Sequence, residues 1–363
     1  MEIAIDARCV RGRFPGIGRY TYSLARALSQ AATDWRFLLL HNGAQSGPLD
    51  VRALASPKAR LLELRHPPRS LAEQWECRNA LKRAGAVLLH SPYYVRPYFP
   101  ACPTVVTVHD AIPSRFPETL SGRDRLLYQV AMRLTLWRAR LVICVAQAAA
   151  DELRGFFGVP ARKLRVVPEA AEPVAAATPA ERDFAAGLRP YALYVGTNKP
   201  HKNLARLVEA FARVSGSCRL VLAGTQDPRF PEARAEAERR GLNDSVLFLG
   251  EVSEQRLAAL YGAADVFVFP SLAEGFGLPL LEAMAAGVAV VASDIPVLRE
   301  VAGDAALYFD PLDGSDMSDA LVRVLSDGAL REALATRGTE RARAFSWRRT
   351  AEMTLAVYQE ALA

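Results

Sequence analysis

Short apolar runs rich in β-branched residues alternate with helical patterns along this whole chain, in two successive series. That alternation constrains the fold more than any other feature, because it is the signature of parallel α/β sheets. The first series is Glu2–Ile5, Phe37–Leu40, Leu61–Leu64, Val87–His90, Val105–Val108 and Val142–Val145, closed by Leu164–Val167. The second is Tyr191–Val195, Leu220–Ala223, Val246–Leu249, Val266–Phe269, Ala289–Ala292 and Leu307–Phe309. At 363 residues the chain exceeds the usual single-domain size of roughly 100–200 residues, so each series is assigned its own domain. Residues 1–168 form the first domain and 190–345 the second. Residues 169–189, rich in Ala, Pro and Glu without a clean period, read as a linker with room for a short helix. The tail 346–363 has helical spacing behind a Ser346 cap and is expected to return to the N-terminal domain.

Hydrophobic residues at 51% and charged residues at 23% exclude a disordered or collagen-like chain. No stretch reaches about 18 uncharged apolar residues, the length needed to span a membrane as a helix. The N-terminus, with Glu2 and Asp6, reads as a first strand and lacks the basic start of a signal peptide. The five cysteines are scattered and form no Cys-x-x-Cys pair. They fit a reducing, cytoplasmic setting and argue against a zinc site or disulfide framework.

Ligands of doubly wound sheets bind at the carboxyl ends of the strands, so the loops there carry the chemistry. The strongest is in residues 267–287. A strand runs into Pro270 and Ser271, then a loop, then a helix expected to have Pro279 at its first position and Gly287 as its stop. Glu274 lies in the loop and Glu282 in about the first turn of the helix, with seven residues between them. Gly275 and Gly277 let the backbone approach a ligand closely, and the free N–H groups of the helix end favour a phosphate. Two carboxylates beside an anion-binding helix end make sense if each grips hydroxyl groups, one on a sugar and one on a ribose, with a diphosphate between them. The competing structural reading is a pair of acids serving only the helix dipole.

With this strand, loop and helix, the sequence resembles the family 4 glycosyltransferases of the GT-B fold. Their hallmark is a Glu, seven residues and a second Glu in a Glu-Gly-Phe-Gly-Leu-Pro setting, here Glu274 to Pro279. The resemblance covers nearly the whole chain and implies two Rossmann-like domains facing across a cleft. It implies that Glu274 contacts the donor sugar, that Glu282 holds the nucleotide ribose, and that the amides of Phe276, Gly277 and Leu278 meet sugar and phosphates. The implied reaction moves a sugar from a nucleotide-diphosphate sugar to an acceptor hydroxyl with retention of configuration. It uses no metal and no cofactor beyond the donor.

Three further loops join this reading. In residues 194–211, Lys199, His201 and Lys202 precede an amphipathic helix. Cations oppose the dipole there, so a bound phosphate explains them better. The family places Gly-Arg in this loop and a Lys six residues after the Gly. Lys202 fits that Lys, while Thr197 replaces the Arg and leaves Lys199 or His201 as candidates for the second contact. The Gly-Thr pair is similar to mannosyltransferase-like members, which favours GDP-mannose over UDP-sugars as donor and assembly of a polysaccharide or lipid-linked glycan as setting. In the first strand's loop, Gly16 and Gly18 are expected just before a helix (Tyr20, Leu24, Leu28), as a weak phosphate cradle; the resemblance implies that this loop faces the donor diphosphate. Two glycines without a third do not make a dinucleotide-binding fingerprint. After Val108, the resemblance implies that His109 points at the donor sugar. Asp110 is expected to orient its imidazole or act near the acceptor. His90, Ser91 and Pro92 either shape the acceptor side or form a plain turn.

Charge is split. Residues 1–168 hold 25 Lys and Arg against 12 Asp and Glu, and the remainder 20 against 27. A basic first half suggests an anionic partner, with an Arg-rich solvated surface as the alternative. Residues 122–140 interleave five Arg with Leu126, Leu127, Val130, Leu134 and Trp137. The apolar stripe is expected to pack in the core, and the Arg face could attach the protein to an anionic membrane surface, the inner face of the plasma membrane. No motif supports nucleic-acid binding. The Glu–seven–Glu loop argues against a nucleotide-sugar epimerase.

Overall fold

The computed structural model describes residues 1–10, 15–43, 49–66, 70–172 and 176–363. It divides into two units, Met1–Ala170 with Ser346–Ala363, and Ala171–Phe345. In the first unit seven strands form one parallel sheet: β1 (Glu2–Asp6), β2 (Arg36–His41), β3 (Ala59–Glu63), β4 (Ala86–Ser91), β5 (Thr104–Val108), β6 (Leu141–Cys144) and β7 (Leu164–Val166). Their order is β3-β2-β1-β4-β5-β6-β7. The chain starts at the centre, winds to one edge, then returns and winds to the other. Ile3, Ala4, Ile5, Leu88, Leu89, Val105 and Val106 are all buried, as strands covered on both faces require.

The second unit repeats the plan with β8 (Tyr191–Val195), β9 (Arg219–Ala223), β10 (Val246–Gly250), β11 (Val266–Phe269), β12 (Val290–Ser293) and β13 (Ala306–Phe309), ordered β10-β9-β8-β11-β12-β13. All pairings are parallel. Strand order reverses between β8 and β11, so the loops after these two strands open side by side at the switch point, where ligands of such sheets bind.

Three local expectations change. Residues 169–189 are not a separate linker: from Ala171 they belong to the second unit. Pro179–Ala186 is a helix capped by Thr178, whose Oγ1 accepts from the Glu181 amide, and Glu181 pairs with Arg256 at 2.6 Å. A Thr-Pro-x-Glu start is a capping box, which outweighs the Ala- and Pro-rich look of the stretch. Residues 173–175 lie outside the described residues. The helix Pro15–Gln30 begins at Pro15, so Gly16 and Gly18 sit inside its first turn instead of before it. Proline's fixed φ pre-forms that first turn. Residues 11–14 lie outside the described residues.

The helix Gly122–Arg138 buries Tyr128, Met132, Thr135 and Leu136. The stripe expected in the core is largely on the surface: Leu126, Leu127, Val130 and Trp137 are exposed, Trp137 by 69%. Both stripes obey helical spacing, and Tyr128 with Met132 wins the core. Finally, Trp347–Leu362 forms a helix capped by Ser346, as its spacing indicates, and lies in the first unit. Trp347 meets Tyr20 edge-on, Tyr358 reaches His90, and Thr350 donates to the Pro168 carbonyl. No helix among the described residues is long and apolar enough to cross a membrane.

Candidate active site

The β8 and β11 loops are tied together by hydrogen bonds at their bases. Pro200–Lys202 makes one tight 3-10 turn after β8, and Asn203 then adopts the left-handed conformation (φ 59°) that lets Leu204–Phe211 start in a new direction. Asn tolerates this region better than most residues. The Asn203 side-chain amide donates to the carbonyls of Pro270 (3.1 Å) after β11 and Pro311 (2.8 Å) after β13. The Leu272 amide donates to the His201 carbonyl at 2.7 Å. These links bring Lys202 Nζ to 2.6 Å from Glu274 Oε1. The ammonium also lies 5.6 Å from the centre of the Phe269 ring. Both charged side chains are nearly buried, at 15% and 8% exposure, so water screens the pair little.

The loop then enters the helix Leu278–Ala285 through Gly277 (φ 100°), with Pro279 as its second residue. A Cβ on Gly277 would stand 2.9 Å from Leu298 Cδ2, so the backbone here fits only glycine. Of the two loop glycines, only Gly277 is at positive φ. No side chain caps the helix start. The first N–H groups of an α-helix have no partner within it, and here no side chain supplies one. The Phe276 ring turns inward against Phe345. Glu282 sits one turn into the helix, where its Oε2 accepts from the Tyr261 hydroxyl at 3.0 Å. That hydroxyl also donates weakly to the Pro279 carbonyl at 3.3 Å, so it spans helix start and carboxylate.

Other residues of the β8 loop take different parts. Thr197 contributes its carbonyl to Tyr194. His201 is buried, and burial pushes it down to about 3, with Lys202 and Lys199 adding to the effect. A neutral buried imidazole brings no positive charge to a phosphate. Asn198 bonds the carbonyls of Asp227 and Phe230 and leaves Lys199 part-exposed beside it. Gly196 and Gly224 close the ends of β8 and β9 so tightly that a Cβ on Gly224 would lie 2.1 Å from the Gly196 oxygen.

In the first unit, His109 follows β5, as expected, but its partner is Glu169 and not Asp110. His109 Nδ1 lies 2.7 Å from Glu169 Oε1, and Nε2 donates to the Pro92 carbonyl at 3.0 Å. Asp110 Oδ1 instead accepts from the Ile112 amide at 3.0 Å. Burial pushes His109 down, but Glu169 outweighs it, and the pKa is raised above the ordinary histidine value. A carbonyl only accepts, so Nε2 carries a proton, and Nδ1 faces the Glu169 carboxyl group. The edge of Tyr20 packs on it at 4.7 Å. Glu169 escapes a sequence reading because it lies 60 residues away, just past β7. His90, by contrast, is fully buried between Tyr358 (2.6 Å) and Thr107 (2.9 Å), and burial pushes it down to about 3. It is a core residue and shapes no acceptor surface. Among the described residues no three or more His, Cys, Asp or Glu side chains gather as a metal-ion site.

Two Rossmann-like units, with an ion pair and a helix start at the switch point of the second, define the GT-B class of sugar-transfer enzymes. Comparison with known proteins gives the family. The model described as "Glycosyltransferase Family 4" matches residues 15–173, and "Glycosyl transferases group 1" matches residues 181–341. O-antigen chain mannosyltransferase B of Escherichia coli is 29% identical over 99% of this chain and 100% of its own. A mannosyltransferase of Mycolicibacterium hassiacum, the MMP alpha-(1->4)-mannosyltransferase, is 37% identical over 45% of this chain and 41% of its own. Among solved structures, sucrose-phosphate synthase from Thermosynechococcus elongatus has a TM-score of 0.76 at 23% identity, over 99% of this chain and 98% of that one. Anabaena HepE in complex with UDP-glucose has a TM-score of 0.77 at 18% identity, over 99% and 100%. The chain belongs to glycosyltransferase family 4 and has the GT-B fold.

Proposed function

We propose that this glycosyltransferase moves mannose from GDP-mannose to a hydroxyl of a saccharide or lipid-linked acceptor, with retention of configuration. The observation that carries the reading is the Lys202–Glu274 ion pair beside the uncapped start of the Leu278–Ala285 helix. On donor binding, the diphosphate takes over the Lys202 charge and the amides at Phe276, Gly277 and Leu278. Glu274, released from its partner, then accepts from the sugar hydroxyls. Glu282, already held by Tyr261, accepts from the ribose hydroxyls. As the glycosidic bond breaks, charge grows on the diphosphate, and fixed donors that need no reorganisation stabilise it. The leaving phosphate takes the acceptor's proton in a front-face transfer. The resemblance implies that His109 points at the donor sugar, and Glu169 with the Pro92 carbonyl fixes its ring.

Mannose is favoured because the relative matching the full length, and one matching 45% of the chain, are named mannosyltransferases. UDP-glucose is the competing donor, since the HepE structure holds it. The surface stripe of Leu126, Leu127, Val130 and Trp137, flanked by Arg123, Arg133 and Arg138, supports peripheral attachment to an anionic membrane. The test is calorimetry with both donors, followed by proton NMR of the anomeric centre of the product. GDP-mannose should bind more tightly than UDP-glucose and yield the retained anomer. Tighter binding of UDP-glucose would overturn the donor, and an inverted product the mechanism.

A further inference from the structure

A cavity of about 650 Å3 lies in the first unit, lined by Thr104 and Leu141 at the amino ends of β5 and β6 and by Lys163 just before β7. In a parallel sheet this is the end opposite His109, which follows the carboxyl end of β5. The cavity is therefore separate from the strand-end site.

Its wall holds six cations, Arg78, Arg96, Arg138, Arg140, Arg162 and Lys163. The carboxylate that also lines it, Glu360, is ion-paired with Arg165. Arg96 is the decisive group. It is 2% exposed, and only Nη1 bonds, donating to the Pro97 carbonyl at 3.2 Å. Its Nε and Nη2 are buried with no hydrogen-bond partner and no counter-ion among the described residues, and the guanidinium lies 5.9 Å from the centre of the Tyr98 ring. Burial pushes it down to about 10, and Arg138 adds to the effect. Removing one partner from a buried charge is strongly unfavourable, so a charge held unpaired among further cations marks a place built to receive negative charge. The neighbours are held in position. Arg138 stacks against the rings of Phe99 and Trp137 at 4.9 and 4.8 Å, and Lys163 donates to the carbonyls of Leu136 (3.3 Å) and Trp137 (2.9 Å).

We propose that this cavity binds a ligand carrying two or more phosphate groups. Guanidinium forks match phosphate oxygens two at a time, and six cations exceed what one phosphate neutralises. The ligand is either free in solution or carried on a lipid whose chains would enter beside the exposed Phe99 and Trp137.

The experiment is calorimetric titration of the full-length protein with pyrophosphate, paired with sedimentation on phosphatidylcholine vesicles doped with a prenyl diphosphate. Arg96→Met should weaken uptake roughly tenfold or more, and Arg140→Ala and Arg162→Ala by less. The Arg96→Met protein should melt no lower than wild type without ligand, because it removes an unpaired charge, and it should bind nucleoside diphosphate as before. Arg96-dependent uptake of pyrophosphate assigns a soluble ligand. Arg96-dependent sedimentation without pyrophosphate uptake assigns a lipid-borne one. If the Arg96 variant does not fold, the two exposed-arginine variants carry the same test. Wild type that takes up neither probe, or uptake that all three variants leave unchanged, overturns the proposal.

Discussion

Glu169 and His109 form the acid–imidazole pair of the first unit, and its charge state is open to measurement. The pKa of His109 is raised in the fold, against about 6.5 in the unfolded chain. The native state therefore binds the extra proton more tightly. Its stabilising contribution is fully present below about pH 6.5 and is lost as pH rises through the folded value. In Glu169→Gln the His109 pKa should fall, since burial then acts almost alone. NMR titration of the ring would show it, and an unchanged pKa would remove Glu169 from its role. The two loop carboxylates should separate in the same spirit. Glu282→Ala should weaken nucleoside-diphosphate binding by about 1.5–3 kcal/mol, the worth of one hydrogen bond to a charged group. Glu274→Ala should abolish transfer yet leave that binding unchanged or tighter, because Lys202 loses its competing carboxylate. Equal losses by calorimetry would refute the division. Sequence spacing exposed Glu274 and Glu282 because one loop and one helix carry both. Asp110, adjacent in sequence, was the natural partner for His109, and only the fold brings Glu169 there.

Among elements, the turn at Asn203 decides whether Lys202 reaches its place. Asn203→Gly keeps the left-handed backbone but removes the bonds to Pro270 and Pro311. The Pro311 carbonyl still accepts from Arg206 at 3.0 Å, while the buried side of Pro270 loses the Asn203 donor. The expected cost is about 1–3 kcal/mol in urea unfolding, with weaker nucleoside-diphosphate binding because the β8 loop is no longer tied to the β11 loop. Asn203→Ala should cost more, by about 1–2 kcal/mol, since it adds left-handed strain. If both variants match wild type, the tie does not position the site. The strands were legible because each carries a short apolar run, and the central ones, such as β5 and β11, are buried throughout. The helix Gly122–Arg138 was not, because two apolar stripes compete on it. Spacing cannot say that Tyr128 and Met132 turn inward while Val130 and Trp137 face solvent.

At the scale of the whole molecule, the last 18 residues return to the first unit after the chain has completed the second. The helix Trp347–Leu362 does more than cover a surface, for it completes a buried polar chain. Tyr358 bonds His90, His90 bonds Thr107, and Thr107 bonds Tyr20, whose ring packs on His109. His90 is neutral, so it offers one donor and one acceptor, and both neighbours are needed. Tyr358→Phe keeps the ring against Trp35 but leaves the Nδ1 of His90 buried without a partner. Such a group costs about 1–3 kcal/mol. The loss should be confined to the unit that holds the chain. Native-state hydrogen exchange should show faster opening of β4 and β5, with β8 to β13 unchanged, and activity should fall through His109 without any change in nucleotide binding. Faster exchange in the second unit as well would mean that the two units share their stability and that the helix does not stabilise the first alone.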